Sequence, residues 1–208
     1  MAHSTGTAGA RRTRADGERS RRAILDAAAR LATVEGIDGL SIGGLAQAIG
    51  MSKSGLYAHF GSKEELQLAT VAAAEAVFDA DVVEPALRAD DGLDRVNALC
   101  ERFLSHVERG VFPGGCFFAS VAAELDTRPG PVRDRVAAVQ SRWSELVSAA
   151  LRAAGSAQVE QLTFELNAIL AQANTVFLLY GDREVFGLAR RAIRERLDRG
   201  GWDTDTAT

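Results

Sequence analysis

The sequence predicts an all-α protein of about nine helices, with a small N-terminal unit and a larger C-terminal helical unit. Apolar residues recur at the three- and four-residue spacing of a buried helix face through most of the 208-residue chain. Glycine and proline separate these periodic segments, as they do where helices end. The 47% content of hydrophobic residues is sufficient for a core, and the length allows one or two compact units.

The first residues, 1–19, are predicted to form a flexible basic arm. They are rich in Ser, Thr, Gly, Ala and Arg and show no apolar period. The first helix is predicted to begin at Ser20, where apolar residues begin to recur at helical spacing, and to end at Gly36.

Two short helices follow, separated by a tight turn. Apolar residues recur at helical spacing from Ile42 to Ile49, and Gly50 stands where that helix would end. Ser52 is a suitable N-cap for a second helix over residues 53–58. Two short helices joined by a glycine-containing turn form a helix-turn-helix, whose second helix enters the DNA major groove. Residues 20–66 are therefore predicted to be a three-helix DNA-binding domain.

The stretch from residue 41 to residue 63, SIGGLAQAIGMSKSGLYAHFGSK, resembles the DNA-binding region of the TetR family of bacterial regulators. The resemblance covers roughly Arg21 to Leu68 and is one of architecture and size beyond it. It rests on a Ser-started recognition helix, a Leu-Tyr pair, a His before Phe, and a Ser-Lys-Glu-Glu-Leu helix opening. These residues are Ser52, Leu56, Tyr57, His59, Phe60, Ser62, Lys63, Glu64, Glu65 and Leu66.

The resemblance implies DNA contacts, because family members use the matching Tyr, His and Lys mainly on phosphates. The candidate contact residues are Ser41, Ser52, Lys53, Ser54, Gly55, Tyr57, His59 and Lys63. From the pattern alone, surface and capping roles fit these residues equally well. Three glycines depart from the family pattern: Gly43 and Gly44 replace polar helix residues, and Gly55 removes a possible base contact.

Charge is distributed unevenly along the chain. The net charge is −4, but residues 1–63 carry nine Lys+Arg against five Asp+Glu, so +4, which leaves −8 for the remainder. Basic residues attract phosphates, and the acidic remainder is repelled by them. Arg11, Arg12 and Arg14 fit either a solvated tail or an arm that enters a minor groove.

The remainder, residues 67–208, is predicted to be a helical ligand-binding and dimerisation domain. A capping box at Ser62 and Glu65 starts a long linking helix that runs to about Arg88. Further helices are predicted to begin near Leu93, Cys116, Pro131, Val159 and Val185, and residues 200–208 are predicted to fray.

The last two helices are predicted to form the interface of a homodimer. The helix from Val159 to Tyr180 is apolar on more than one side, so it requires two packing partners. One partner is the rest of its own unit, and a second copy of the chain is the other. The family resemblance implies the same arrangement, a four-helix interface between subunits.

Each aromatic residue of this unit, taken alone, fits a position in the hydrophobic core. Together with interspersed polar residues, they predict a pocket for an apolar or aromatic small-molecule effector, and Glu124 would also suit a lipophilic cation. The candidate ligand-binding residues are Phe103, His106, Val107, Phe112, Phe117, Phe118, Val121, Glu124, Trp143, Phe164, Asn167, Ala171, Asn174 and Leu178.

These features predict a ligand-responsive transcriptional regulator, most simply a repressor that binds a palindromic double-stranded DNA operator as a homodimer. The alternative is a helical small-molecule-binding scaffold or carrier without DNA binding, which does not explain the basic first unit. Three His and no clustered metal ligands, phosphate loop or nucleophile motif predict no enzyme, cofactor or metal site. The effector, the operator, the regulated genes and the choice between repression and activation stay open.

Cysteine usage and hydropathy predict a cytoplasmic protein without a membrane partner. No uninterrupted apolar run approaches the roughly 18 residues of a membrane span, and no signal peptide is apparent. Cys100 and Cys116 fit buried small hydrophobic residues in a reducing compartment, with a thiol sensor as the alternative.

Overall fold

The computed structural model describes residues 6–199, with side chains from residue 17 onward. The described residues form nine helices and no strand. The helices are α1 Gly6–Glu35, α2 Ile42–Ala48, α3 Lys53–His59, α4 Lys63–Phe78, α5 Leu93–Glu108, α6 Phe117–Leu125, α7 Pro131–Ala153, α8 Val159–Tyr180 and α9 Glu184–Asp198. Helix α4 continues through a π-helical turn, Asp79–Val83, and ends with the short segment Glu84–Ala86.

The first helix begins earlier than the sequence predicts. It starts at Gly6 rather than at Ser20, so residues 6–19 of the predicted flexible arm are helical. Alanine and arginine are strong helix formers, and they support a helix here without an apolar face. The side chains of Arg11, Arg12 and Arg14 lie outside the described part of the chain, as do residues 1–5 and 200–208.

Two separate hydrophobic cores organise the molecule. The first core, which we call the head core, lies among α1, α2, α3 and the start of α4. It consists of Ile24, Ala28, Leu40, Ile42, Leu45, Ala46, Leu56, Phe60 and Leu66. The second, the body core, takes in Ala29 and Val71 and extends to Leu197. The predicted domain boundary between residues 66 and 67 therefore falls inside α4, which contributes to both cores.

The body is built around α8, which packs against α5, α7 and α9. Helix α6 contacts α1 of the head as well as α7 of the body. Among the described residues, α8 is the one helix long and apolar enough to cross a membrane by length and composition. Its contacts with three neighbouring helices account for part of that apolar character, since a helix enclosed by a body is apolar on several sides.

Candidate DNA-binding surface and ligand cavity

Serine caps fix where α2, α3 and α4 begin. The hydroxyls of Ser41, Ser52 and Ser62 accept hydrogen bonds from the backbone N–H groups three residues on, at 3.0, 3.1 and 3.0 Å. The Glu65 carboxylate accepts from the Gly61 N–H at 2.9 Å, one residue before the position usual in a capping box. These caps satisfy backbone donors that a helix start leaves open.

The outer face of α3 is exposed, and its inner face is anchored in the head core. Leu56 is fully buried, whereas Lys53 and Ser54 are exposed and Tyr57 is 57% exposed. His59, at the end of the helix, is half-buried. Because these exposed groups include an ammonium, hydroxyls and a phenol, the face can donate hydrogen bonds to phosphates and base edges.

Arg21 of α1 holds the end of α3 in place. Its guanidinium donates a 2.6 Å hydrogen bond to the His59 carbonyl and lies 4.3 Å from the centre of the Phe60 ring. The contact is a cation–π interaction backed by a charge-assisted hydrogen bond. It ties the recognition helix to the longest helix of the head.

The three unusual glycines lie where a side chain would be crowded. A Cβ at Gly43 would stand 3.3 Å from Lys53 Cε, and one at Gly44 would stand 3.2 Å from the capping Ser41 hydroxyl. A Cβ at Gly55 would stand 3.1 Å from the Ser52 hydroxyl. Gly43 thus leaves room for Lys53 to lie along α2, whereas the caps do not require glycine, since Ser62 caps the N–H of Glu65 in the same way.

Lys63 has a partner within the protein. Its ammonium donates to the Asp38 carbonyl at 2.5 Å and approaches the Asp38 carboxylate at 3.3 Å. Arg128, from the turn after α6, contacts the same carboxylate at 2.5 Å. Hydrogen bonding to Lys63 and the Lys63 charge, together with Arg128, lower the pKa of Asp38. Lys63 is about half exposed and remains accessible to solvent.

A cavity of about 200 Å³ opens in the body among α4, α5, α6, α7 and α8. It is lined by Phe78, Phe103, Cys116, Phe118, Ala119, Val139, Gln140, Trp143, Ser144, Asn167, Leu170 and Ala171. Phe78 is central to its aromatic wall, with ring centres 5.4 Å from Trp143, 5.9 Å from Phe118 and 6.3 Å from Phe103. These edge-to-face contacts are the arrangement that aromatic rings favour.

Two family models match the chain, one over the head and one over the body. Residues 24–70 match the bacterial regulatory proteins of the tetR family, and residues 92–193 match the tetracyclin repressor-like C-terminal domain. The chain belongs to the TetR family. TetR-family proteins are DNA-binding transcription regulators with a helix-turn-helix and a ligand-binding domain, and they are not enzymes.

Solved TetR-family structures share the fold over most of the chain. A regulator from Chloroflexus aurantiacus is 25% identical, covers 88% of this chain and 96% of its own, and has a TM-score of 0.79. A Streptomyces coelicolor regulator is 22% identical, with 88% and 95% coverage and a TM-score of 0.76. AibR, crystallised with isovaleryl coenzyme A and operator DNA, is 23% identical, with 84% and 96% coverage and a TM-score of 0.70. A search of curated proteins gave no match.

The cavity brings together part of the set that the sequence suggested for ligand binding in this TetR-family body. Phe103, Phe118, Trp143, Asn167 and Ala171 line it. The other predicted residues lie elsewhere, because helix periodicity does not distinguish a cavity wall from a filled core or an outer face. They are His106, Val107, Phe112, Phe117, Val121, Glu124, Phe164, Asn174 and Leu178.

Most of these residues have other structural roles. His106 is buried, and its Nδ1 lies 2.6 Å from the Asp81 carboxylate within the π-helical turn. Asn174 is buried and accepts a 2.9 Å hydrogen bond from the Cys116 N–H. Phe164 is 71% exposed on the outer face of α8, as is Leu178 at 40%. The remaining apolar members are buried in the body core: Val107, Phe112, Phe117 and Val121.

Glu124 joins the body to the head. Its carboxylate accepts hydrogen bonds from the backbone N–H groups of Ile37 and Asp38, at 2.7 and 2.8 Å. These amides follow Gly36, which ends α1 with a φ of 82°. A sequence motif cannot identify this role, because the donors lie far from Glu124 along the chain and belong to the backbone.

The two cysteines are buried and not in a disulfide. Burial raises the pKa of the Cys100 thiol to about 12 and also raises that of Cys116. Thiols with a raised pKa are poor nucleophiles, so both behave as small apolar residues. No group of three or more His, Cys, Asp or Glu within the described part of the chain could hold a metal ion.

Several residues that line the cavity were not predicted from the sequence. They are Phe78, Cys116, Ala119, Val139, Gln140, Ser144 and Leu170. Phe78 carried one usable signal, because it is a large aromatic residue in an otherwise small-residue stripe of α4. Gln140 and Ser144 are four residues apart on α7 and so share one face of that helix, which the sequence shows only once the cavity is known.

Proposed function

We propose that the chain is a homodimeric transcriptional repressor, bound to a palindromic operator through α3 and released when a small molecule occupies the body cavity. The observation that carries this proposal is the position of Phe78. It forms the centre of the cavity wall and belongs to α4, which begins directly after the recognition helix. One helix therefore connects the ligand site to the DNA-binding surface.

The DNA-contacting residues are those of the outer head surface. Tyr57, His59 and Lys63 contact phosphates, while Lys53 and Ser54 read base edges in the major groove. Ser41, Ser52 and Gly55 approach the backbone of the duplex at the helix starts. Lys63 exchanges its bond with the Asp38 carbonyl for a phosphate oxygen, at small cost because the ion pair is half exposed.

Salt dependence of binding tests this assignment. Tyr57→Ala and Lys63→Ala should weaken binding to all DNA sequences, and the lysine change should reduce the salt slope by about one unit. Fluorescence anisotropy with labelled DNA from upstream of the chain's own gene, at several salt concentrations, measures both quantities. Arg30→Ala is a matched control, since Arg30 is an exposed head cation paired with Asp26 on α1. An unchanged slope for Lys63→Ala would remove Lys63 from the phosphate contacts.

The dimer interface lies on α8 and α9. Large apolar side chains there are exposed in the single chain, with Phe164 at 71% and Tyr180 at 77%. Others on the same two helices are Leu178, Leu179 and Leu188. An exposed apolar patch of this kind marks an interface, and a second copy of the same two helices would cover it. The dimer then presents two α3 helices about 34 Å apart to successive major grooves.

Sedimentation tests the dimer. Phe164→Glu places a charge in the proposed interface and should shift the sedimenting species toward the mass of one chain. Leu87→Glu is the control, because Leu87 is exposed at 42% and follows the segment Glu84–Ala86, which packs on the π-helical turn and α5. A dimer that persists in Phe164→Glu and dissociates in Leu87→Glu would place the interface elsewhere.

Release follows from a ligand that favours one body conformation over another. It lowers DNA affinity only by its preference for that conformation. Phe78 and Glu124 are two points at which a change around the cavity reaches the head. TetR-type regulators are typically cytoplasmic, and we place this one there.

A binding and reporter experiment separates repression from the alternative functions. The full chain should bind its upstream DNA as two chains per site, and deletion of its gene should raise transcription from that promoter. Lower transcription after deletion would show activation. Absence of DNA binding at every salt concentration would instead favour a small-molecule carrier.

A further inference from the structure

We infer that the body cavity binds a neutral compound of one or two rings that carries a hydroxyl group, a phenol or an alicyclic alcohol. The inference rests on the proposed ligand-released function and specifies its effector. It follows from the charge, size and hydrogen-bonding groups of the cavity lining.

The lining contains no charged side chain. The nearest charges along α4 and α7 are paired with one another, since Arg142 contacts the Asp79 carboxylate at 2.5 Å and that of Glu75 at 3.3 Å. Glu124, the residue suggested for a cationic ligand, is instead bonded to the backbone amides of Ile37 and Asp38. An ionised ligand would lose its hydration without gaining a counter-charge, so the cavity favours a neutral compound.

The size and shape fit a small ring system. An apolar cavity of about 150 Å³ accommodates a benzene ring, and this cavity has a volume of about 200 Å³. Phe78, Phe103, Phe118 and Trp143 supply ring faces and edges on its walls. A planar ring can stack or form edge-to-face contacts with them.

The polar groups of the lining define where a hydroxyl would bind. Asn167 is already occupied, because its Oδ1 accepts from Trp143 Nε1 at 2.9 Å and its Nδ2 donates to the Ser144 hydroxyl at 3.2 Å. Trp143 can only donate, which fixes the orientation of the amide. Gln140 Nε2 donates to the Phe118 carbonyl at 3.2 Å, which likewise directs the Gln140 carbonyl oxygen.

Two hydrogen-bonding positions remain. Among the described residues, neither the Gln140 Oε1 atom nor the Ser144 hydroxyl hydrogen has a protein partner. Gln140 is exposed and Ser144 is half-buried, so both lie where the cavity opens to solvent. The two residues are four apart on α7, so their side chains are neighbours on one helix face. One acceptor beside one donor matches a hydroxyl group, which donates to Gln140 and accepts from Ser144.

The same reasoning argues against larger anionic effectors, which the cavity could not enclose. AibR is crystallised with isovaleryl coenzyme A, a large and multiply charged thioester. A cavity of about 200 Å³ without a charged lining residue has neither the volume nor the counter-charges for such a molecule.

Binding of a matched set of compounds tests the inference. Calorimetry and thermal unfolding of the full chain are measured with 2-naphthol, naphthalene, 2-naphthoate and isovaleryl coenzyme A. We expect 2-naphthol to bind roughly ten-fold more tightly than naphthalene, since two modest hydrogen bonds account for such a factor. We expect no binding of 2-naphthoate or isovaleryl coenzyme A.

Variants locate the hydroxyl site. Gln140→Leu and Ser144→Ala should each reduce the ratio between 2-naphthol and naphthalene affinities, whereas Ser141→Ala, an exposed neighbour on α7, should keep it. Thermal unfolding without ligand checks that each variant folds. The inference is overturned if 2-naphthol does not bind, if either anion binds as tightly, or if both cavity variants keep the preference.

DNA binding is measured in parallel, so the two proposals can fail separately. A chain that binds its operator but not 2-naphthol would contradict this inference and leave the repressor proposal standing. A chain that binds 2-naphthol but no DNA would support the ligand class and contradict the repressor.

Discussion

The interior of the head is filled by its own side chains, whereas the interior of the body contains a cavity. The head core is small and almost entirely aliphatic, with Phe60 as its single aromatic residue. The body core is larger and contains an aromatic wall around unfilled space. A surface for DNA requires rigid backing behind exposed side chains, whereas a ligand site requires volume that the protein's own side chains do not fill.

The comparison shows in which region the residues that stabilise the fold differ from those that bind a partner. In α3, neighbouring residues divide the tasks, because Leu56 is buried and Tyr57 is exposed. In the body, Phe78 and Trp143 line the cavity and also pack against other rings, so one side chain serves both purposes. Substitutions in the head should therefore affect either folding or binding, and those in the body should affect both.

The largest effect is expected from Leu56→Ala. Leu56 is fully buried, and such a truncation costs about 2–5 kcal/mol of unfolding free energy. Tyr57→Ala should stay within about 0.5 kcal/mol, because its side chain is exposed. Urea unfolding of both variants measures the difference. Equal destabilisation would show that folding and binding are not divided between neighbours in α3.

A smaller effect is expected from Glu124→Ala, which removes one link between the regions. The partly buried Ile37 N–H loses its acceptor, at a cost of about 1–3 kcal/mol, and the loop at Ile37 and Asp38 should exchange its amide hydrogens faster. Asp126→Ala, which removes an exposed carboxylate two residues on, should leave that exchange unchanged. Unaltered protection at Ile37 in the Glu124 variant would show that other contacts hold this loop without Glu124.

The free energy of unfolding should depend on pH through His106, a residue of the body. Burial lowers the pKa of His106; the Asp81 carboxylate opposes this lowering, and the Arg109 guanidinium adds to it. The unfolded chain then takes up the proton at higher pH, near 6.5, than the folded chain does. This contribution to stability is complete above that value and declines as pH falls toward the lowered pKa. Its slope cannot exceed about 1.4 kcal/mol per pH unit.

Urea unfolding between pH 8 and pH 5.5 measures that slope. His106→Gln has no imidazole and should unfold with a flatter pH dependence over the range, whatever its absolute stability. An identical slope in both proteins would assign the dependence to other groups.

The smallest effect is expected from Arg128→Ala. Its ion pair with Asp38 connects body and head on the surface, where both side chains are more than half exposed. Such pairs contribute about 0.2–1 kcal/mol and weaken with salt. Urea unfolding at low and high salt should show a slight loss that disappears at high salt. A loss as large as that of Glu124→Ala would mean that the surface ion pair couples the regions as strongly as the Glu124 amide contacts do.

Local sequence was sufficient for α2, α3 and the start of α4, although not for the start of α1. The Ser52 cap, the buried Leu56 and the exposed Tyr57 follow from spacing within a single short helix. The family resemblance adds the prediction that Ser52 and Tyr57 contact DNA. The glycine at position 43, in contrast, is explained only by the tertiary structure, because the neighbouring side chain, that of Lys53, belongs to α3.

The sequence by itself determined the all-α class, the helix starts at serine caps and the helix-turn-helix, because each depends on residues only a few positions apart. Tertiary structure alone decided which aromatic residues line a cavity, that Glu124 binds head amides, and that Gln140 has a free acceptor. Helix periodicity identifies a buried side but not its neighbour, and five helices separated along the chain must pack before a cavity or a long-range hydrogen bond exists.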